Sequence, residues 1–146
     1  MKELNFDSGV VSYSLNGKCE VSFNPADRVF AEKLYKAIDT MDKIMNDYAG
    51  KGEELHGPEG AFDLARERDE KMAEVLDGLF GSPVCAAVFD DMSLCAFAGG
   101  FPVWLNLMLT IVDEMDDNIG DIKNQAEARI AKYKAKYQKY TARYHK

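Results

Sequence analysis

The side chains of this chain that could do chemistry are two histidines, three cysteines, many carboxylates and a row of tyrosines, and their spacing separates them. His56 lies in a glycine-rich stretch and His145 beside the carboxy-terminal end, and neither has a cysteine or aspartate at ligand spacing. A metal centre or a nucleophilic triad would have to be assembled wholly from distant contacts, so both read as surface histidines. The acidic run Asp113–Asp121 looks calcium-like at first. Taking Asp116 as position one puts Glu127 at position twelve, but Gly120 then falls at five where a calcium loop needs glycine at six. The run reads instead as a solvated helix face. Nothing marks two carboxylates as a buried acid–base pair, and no GxxxxGK or GxGxxG loop is present to cradle phosphate. Cys19, Cys85 and Cys95 are an odd count in apolar surroundings without CxxC spacing, which suggests buried thiols in a reducing compartment. The residues therefore predict neither an enzyme nor a cofactor or metal.

The tyrosines carry more information. Tyr133, Tyr137, Tyr140 and Tyr144 recur every three or four residues, the period of one helix face, and the stripe runs back through Ile130, Ala126, Ile122 and Ile119. Charge divides at the same place. Residues 1–122 hold 24 of the 25 acids and 10 of the 18 bases, so an acidic body precedes a basic arm at 123–146. Two readings of the arm stand side by side: a helix packed along the acidic body or a second copy, or a docking arm whose tyrosines supply contact area with a polar tip. Bases could stack on the same rings, but an acidic body with a net charge of −7 repels phosphate and argues against nucleic acid. Methionines on the apolar stripes suit core packing, and would also let a groove repack around varied ligands.

The elements that must position these residues follow from periodicity. Val11, Tyr13 and Leu15, then Cys19, Val21 and Phe23, alternate with polar residues as two strands. A three-residue loop Leu15-Asn16-Gly17 would set Tyr13 opposite Cys19 and Val11 opposite Val21, keeping both apolar rows on one face. Leu4-Asn5-Phe6 is a candidate third strand, since an isolated hairpin is marginal in water. Asn24-Pro25-Ala26-Asp27 predicts a helix start, with an apolar stripe through Phe30, Leu34, Ala37, Met41, Ile44 and Tyr48. A glycine-rich connection at 50–60 leads to a helix over 61–80 whose apolar side holds Phe62, Ala65, Met72, Leu76 and Leu79. Ser82-Pro83 predicts a capped short helix through Phe89, a short apolar piece runs from Ser93 to Gly99-Gly100, and Phe101-Pro102 predicts the start of a long helix. The expected fold is α+β: an antiparallel hairpin of two or three strands on a helical bundle with a long basic carboxy-terminal helix. The amino-terminal residues lack a signal peptide's apolar core, and the apolar run Phe101–Val112 is too short to span a bilayer, so a soluble cytoplasmic protein is expected.

Several segments together resemble a known family. They are Val21-Ser-Phe-Asn-Pro25, Phe62-Asp-Leu-Ala-Arg-Glu-Arg-Asp-Glu-Lys-Met72, Leu79-Phe-Gly-Ser-Pro-Val-Cys85, Phe89-Asp-Asp-Met92, Gly100-Phe-Pro-Val-Trp104 and Lys139-Tyr-Thr-Ala-Arg-Tyr-His-Lys146. In this order they resemble a family of small proteins of Firmicutes phages and prophages, encoded among tail-morphogenesis genes near the tape-measure gene. Ser82 and Asp90 depart from it, where glutamate or glycine is more typical. The resemblance implies a tail assembly chaperone that holds the tape-measure protein before the tail tube polymerises. It transfers no catalytic residue. The surface expected to receive the client is Phe101, Val103, Trp104 and Met108, and the arm at Tyr133, Tyr137, Tyr140 and Tyr144 is expected to clamp the client or to join copies into a homo-oligomer. A structural tail completion or connector component, or an acidic inhibitor of a host defence protein, are the alternatives.

Overall fold

A computed structural model describes residues 1–52, 57–119, 131, 132 and 134–136. The expected boundary at residue 123, both histidines and all four arm tyrosines lie outside the described residues. The architecture is α+β. Strands β1 (Val11–Leu15) and β2 (Cys19–Phe23) form an antiparallel hairpin. Helices α1 (Arg28–Gly52), α2 (Pro58–Phe80) and α3 (Val84–Phe89) follow, then a minimal ladder of β3 (Phe97–Ala98) with β4 (Phe101–Pro102), and helix α4 (Val103–Ile119).

The hairpin has a three-residue loop, but it is Asn16-Gly17-Lys18, one position later than expected, so Leu15 pairs with Cys19 and Tyr13 with Val21. Asn16 and Gly17 both take positive φ (51° and 70°), which asparagine and glycine tolerate, and Lys18 N–H closes the turn onto Leu15 O at 3.0 Å. The shift is by two residues in register, so the apolar rows keep their faces: Val21 and Phe23 are buried while Ser12, Ser14, Glu20 and Ser22 are exposed. The anticipated third strand does not form. Leu4-Asn5-Phe6 runs outside the sheet, which has two strands.

Helix α1 starts later than its sequence signal. Asn24 Oδ1 accepts from Ala26 N–H at 2.8 Å in a turn that precedes the helix, Pro25 is buried in that turn, and Asp27 Oδ1 takes Val29 N–H at 2.9 Å as the actual cap. Its stripe buries Ala31, Leu34, Ala37, Ile38, Met41 and Tyr48, and it packs most extensively on α2. A ladder of rings fastens the hairpin to these helices: Tyr13 stacks on Phe23 at 4.7 Å, Phe23 on Phe30 at 4.6 Å, and Phe30 meets Phe80 at 6.5 Å. Gly81, at φ 69°, ends α2 by donating to Asp77 O at 2.8 Å. The expected Ser82 cap is absent; Asp77 Oδ1 instead reaches across the turn to Cys85 N–H at 3.0 Å. The opening amides of α4 are met from the preceding loop, Val103 N–H by Ala96 O at 2.8 Å and Trp104 N–H by Leu94 O at 3.1 Å. That loop therefore seats α4, whose Trp104, Leu105, Met108, Val112 and Met115 fill the centre of the core.

Candidate functional site

Two of the four residues expected to form a surface at the start of α4 are not on the surface. Trp104 and Met108 are 0% exposed, and the Trp104 indole N–H points at Met45 Sδ at 3.2 Å, so both are core. Phe101 and Val103 are half-buried; Val103 borders a depression of about 380 Å³ between the hairpin turn, Met92 and α4. The reason is spacing: α4 is apolar on nearly all sides, so its most apolar residues have a larger core to fill than a single stripe suggests. Part of the basic arm is described. Ala131, Lys132 and residues 134–136 are helical, and Lys136 Nζ lies 2.7 Å from Asp42 Oδ1 and 3.1 Å from Asn46 Oδ1 on α1. The basic end thus touches the acidic body at this point.

A second concavity lies on the outer face of α2 against α3 and the loop after it. It is an open groove of about 700 Å³. Phe62 and Met92 stand at it, 63% and 48% exposed, and Ala65, Ala73 and Ala86 keep its floor shallow. Five carboxylates line it, Asp69, Glu70, Asp77, Asp90 and Asp91, against the single guanidinium of Arg66, which is paired to Asp63 one turn earlier. Asp69 is engaged by Arg68 at 3.2 Å. Asp90, at φ 53°, ends α3 and turns the loop so that Asp91 and Met92 face the groove. Phe62, placed by its spacing on the inner stripe of α2, is exposed instead; Met72 and Leu76, further along, are the buried ones.

The thiols do not form a reactive centre. Burial first, then the nearby Asp77 carboxylate, pushes the Cys85 thiol up to about 12. Burial also pushes Cys95 up to about 12, with Arg68 opposing and Asp69 assisting. Cys95, half-buried, packs its Sγ 3.6 Å from Met72 Sδ against the core. Among the described residues no three His, Cys, Asp or Glu side chains converge as metal ligands, and no helix is long and apolar enough to cross a membrane. What the arrangement offers is an acidic, apolar-lipped trough, suited to a basic amphipathic helix whose apolar side meets Phe62 and Met92 while its lysines and arginines meet the rim. Compared with family models, curated proteins and solved structures, the chain matches none.

Proposed function

We propose that this chain is a binding protein of phage tail morphogenesis, a tail assembly chaperone that makes and breaks no covalent bond. It works in the cytoplasm of the bacterial host and holds basic amphipathic segments of the tape-measure protein until the tube forms. The observation that supports this is the groove of α2 and α3, where Phe62 and Met92 offer apolar contact inside a rim of five carboxylates. The client site moves there from the start of α4. The acidic body keeps a loaded complex soluble, since net charge of one sign opposes association of complexes with one another.

Co-expression with the neighbouring tape-measure protein tests the reading. The client becomes soluble and co-purifies with the native chain, and the Asp90→Lys/Asp91→Lys variant loses most of that recovery. A client that stays insoluble, or that elutes alone from the native chain, overturns it. Mass spectrometry of purified virions separates a chaperone, absent from finished particles, from a structural tail component that remains in them.

A further inference from the structure

Residues 1–10 join no strand ladder among the described residues, and every one of them is exposed. Their pattern is nonetheless that of a strand. Leu4 and Phe6 fall on one side, and Glu3, Asn5 and Asp7 on the other. The base of the segment is held firmly. Asn24 Nδ2 donates to Ser8 O at 2.9 Å, and Gly9 N–H donates to Asp7 Oδ1 at 2.9 Å. Gly9 turns the chain at φ +74°, a backbone conformation that favours glycine, and a Cβ there would have to displace the Asn24 amide, 2.7 Å away. This fixed turn comes where the ladder ends, since Val11 is the first residue of β1 and pairs with Phe23, the last of β2. The segment leaves its own hairpin at a set angle, with its apolar side uncovered.

The hairpin meanwhile lacks what the segment could supply. Each of its strands has one ladder neighbour, and β1 is the more exposed of the two, while β2 lies against α3. We infer that residues 2–8 of one copy add as a third strand along the unpaired edge of β1 in a second copy, and that the second copy returns the same segment. Area selects a second copy over an unrelated partner. Leu4 and Phe6 are 79% and 86% exposed, with Val10 and Val11 also exposed beside them. Burying these side chains and the paired backbone from both sides of a two-fold covers on the order of 1,200 Å², enough for a specific interface, whereas a one-sided contact covers about half that, in the range of incidental contacts. Exchange also pairs the open edge of each β1 and turns two marginal hairpins into two three-stranded sheets. The period of two keeps Leu4 and Phe6 together on one face of the enlarged sheet.

The test is the mass of the protein in solution by light scattering across a broad concentration series. The full chain is expected at twice 16.4 kDa. Deletion of residues 2–6, which spares Asp7, Ser8 and the turn at Gly9, and separately Leu4→Asp with Phe6→Asp, are expected to give the mass of a single copy with the far-ultraviolet circular dichroism unchanged, since residues 2–6 are exposed and lie in no strand ladder among the described residues. A full chain that stays at the mass of one copy throughout overturns the inference, because the segment then serves another molecule or none. Variants that stay paired overturn it equally, because the seam then lies elsewhere.

Discussion

The ammonium of Lys136 stands 2.7 Å from Asp42 Oδ1, with Asn46 Oδ1 at 3.1 Å, and so ties the basic end of the chain to α1. Asp42 is the one charged side chain buried among the described residues, at 8% exposure. A carboxylate taken that far from water needs a partner, and this one is supplied from 94 residues away. The contact favours the packed reading of the arm at this point.

The first prediction follows from that pair. Lys136→Ala leaves Asp42 without its cation and costs about 1–2 kcal/mol, below the full price of breaking a buried pair because the lysine is a third exposed. Asp42→Asn keeps an acceptor without the charge and costs less. Urea midpoints check the order; equal costs, or a larger loss for the asparagine variant, would show that the charge of Asp42 is not what needs satisfying.

A second contact of long reach joins the hairpin to α4. The Tyr13 hydroxyl donates to Glu114 Oε1 at 3.0 Å. Desolvation, then the hydrogen bond and the charge of Glu114, raise the Tyr13 hydroxyl above its usual range. The folded state thus holds this proton more tightly than the unfolded one, so the contribution is complete below about pH 10 and is lost as pH rises through the folded value. Tyr13→Phe should lose about 1 kcal/mol at pH 7 and should show a shallower fall in stability above pH 10 than the native chain. Parallel alkaline profiles of the two proteins would remove Tyr13 as the source.

Much of this architecture was legible in the residues, and the exceptions share a cause. Alternation placed Val21 and Phe23 inward, and 3.6-residue periodicity found Leu34, Met41, Met72 and Leu76, because these signals report burial within one element. Turn chemistry found the Asn16-Gly17 loop but set it one residue early, since local preference fixes loop length better than position. Asn24 looked like a cap, yet its side chain serves the turn and the Ser8 carbonyl, and Asp27 caps instead. Trp104 looked like a docking residue because an isolated segment does not show how many neighbours close over it. The Phe97–Pro102 ladder, two residues a side around Gly99-Gly100, is too short to leave a periodic trace. The groove was hidden for the same reason as Trp104. Its carboxylates come from α2 and from the loop after α3, and only their juxtaposition makes a site.

The thiols give a third prediction. With Cys85 and Cys95 pushed up to about 12, their thiolate fraction near neutral pH is lower than that of an ordinary thiol by roughly a thousandfold. Alkylation with iodoacetamide at pH 8 should modify both only at the rate of unfolding, and denaturant should release them together. Peptide mass spectrometry of time points reads this directly. Rapid modification of either thiol in the folded protein would place it outside the core.

The two surfaces proposed for a client give the fourth prediction. Trp104 and Met108 are fully buried, so truncation opens cavities: Trp104→Ala should cost about 3–5 kcal/mol and Met108→Ala about 2–5 kcal/mol. Phe62 and Met92 project from the groove, so Phe62→Ser and Met92→Ser should change stability by no more than about 0.5 kcal/mol. Client recovery should separate them in the opposite direction. The groove variants stay folded and recover less tape-measure protein, and the effect grows with Asp90→Lys and Asp91→Lys because charge attraction acts at the rim. Raising salt should weaken recovery by the native chain more than by the charge-reversed one, since screening removes an attraction that only the native rim provides. Thermal melts and pull-downs on the same preparations decide it. If the groove variants recover client as well as the native chain does, while partly destabilised α4 variants lose it at temperatures where they remain folded, the client belongs at α4 after all and must reach it by opening the core.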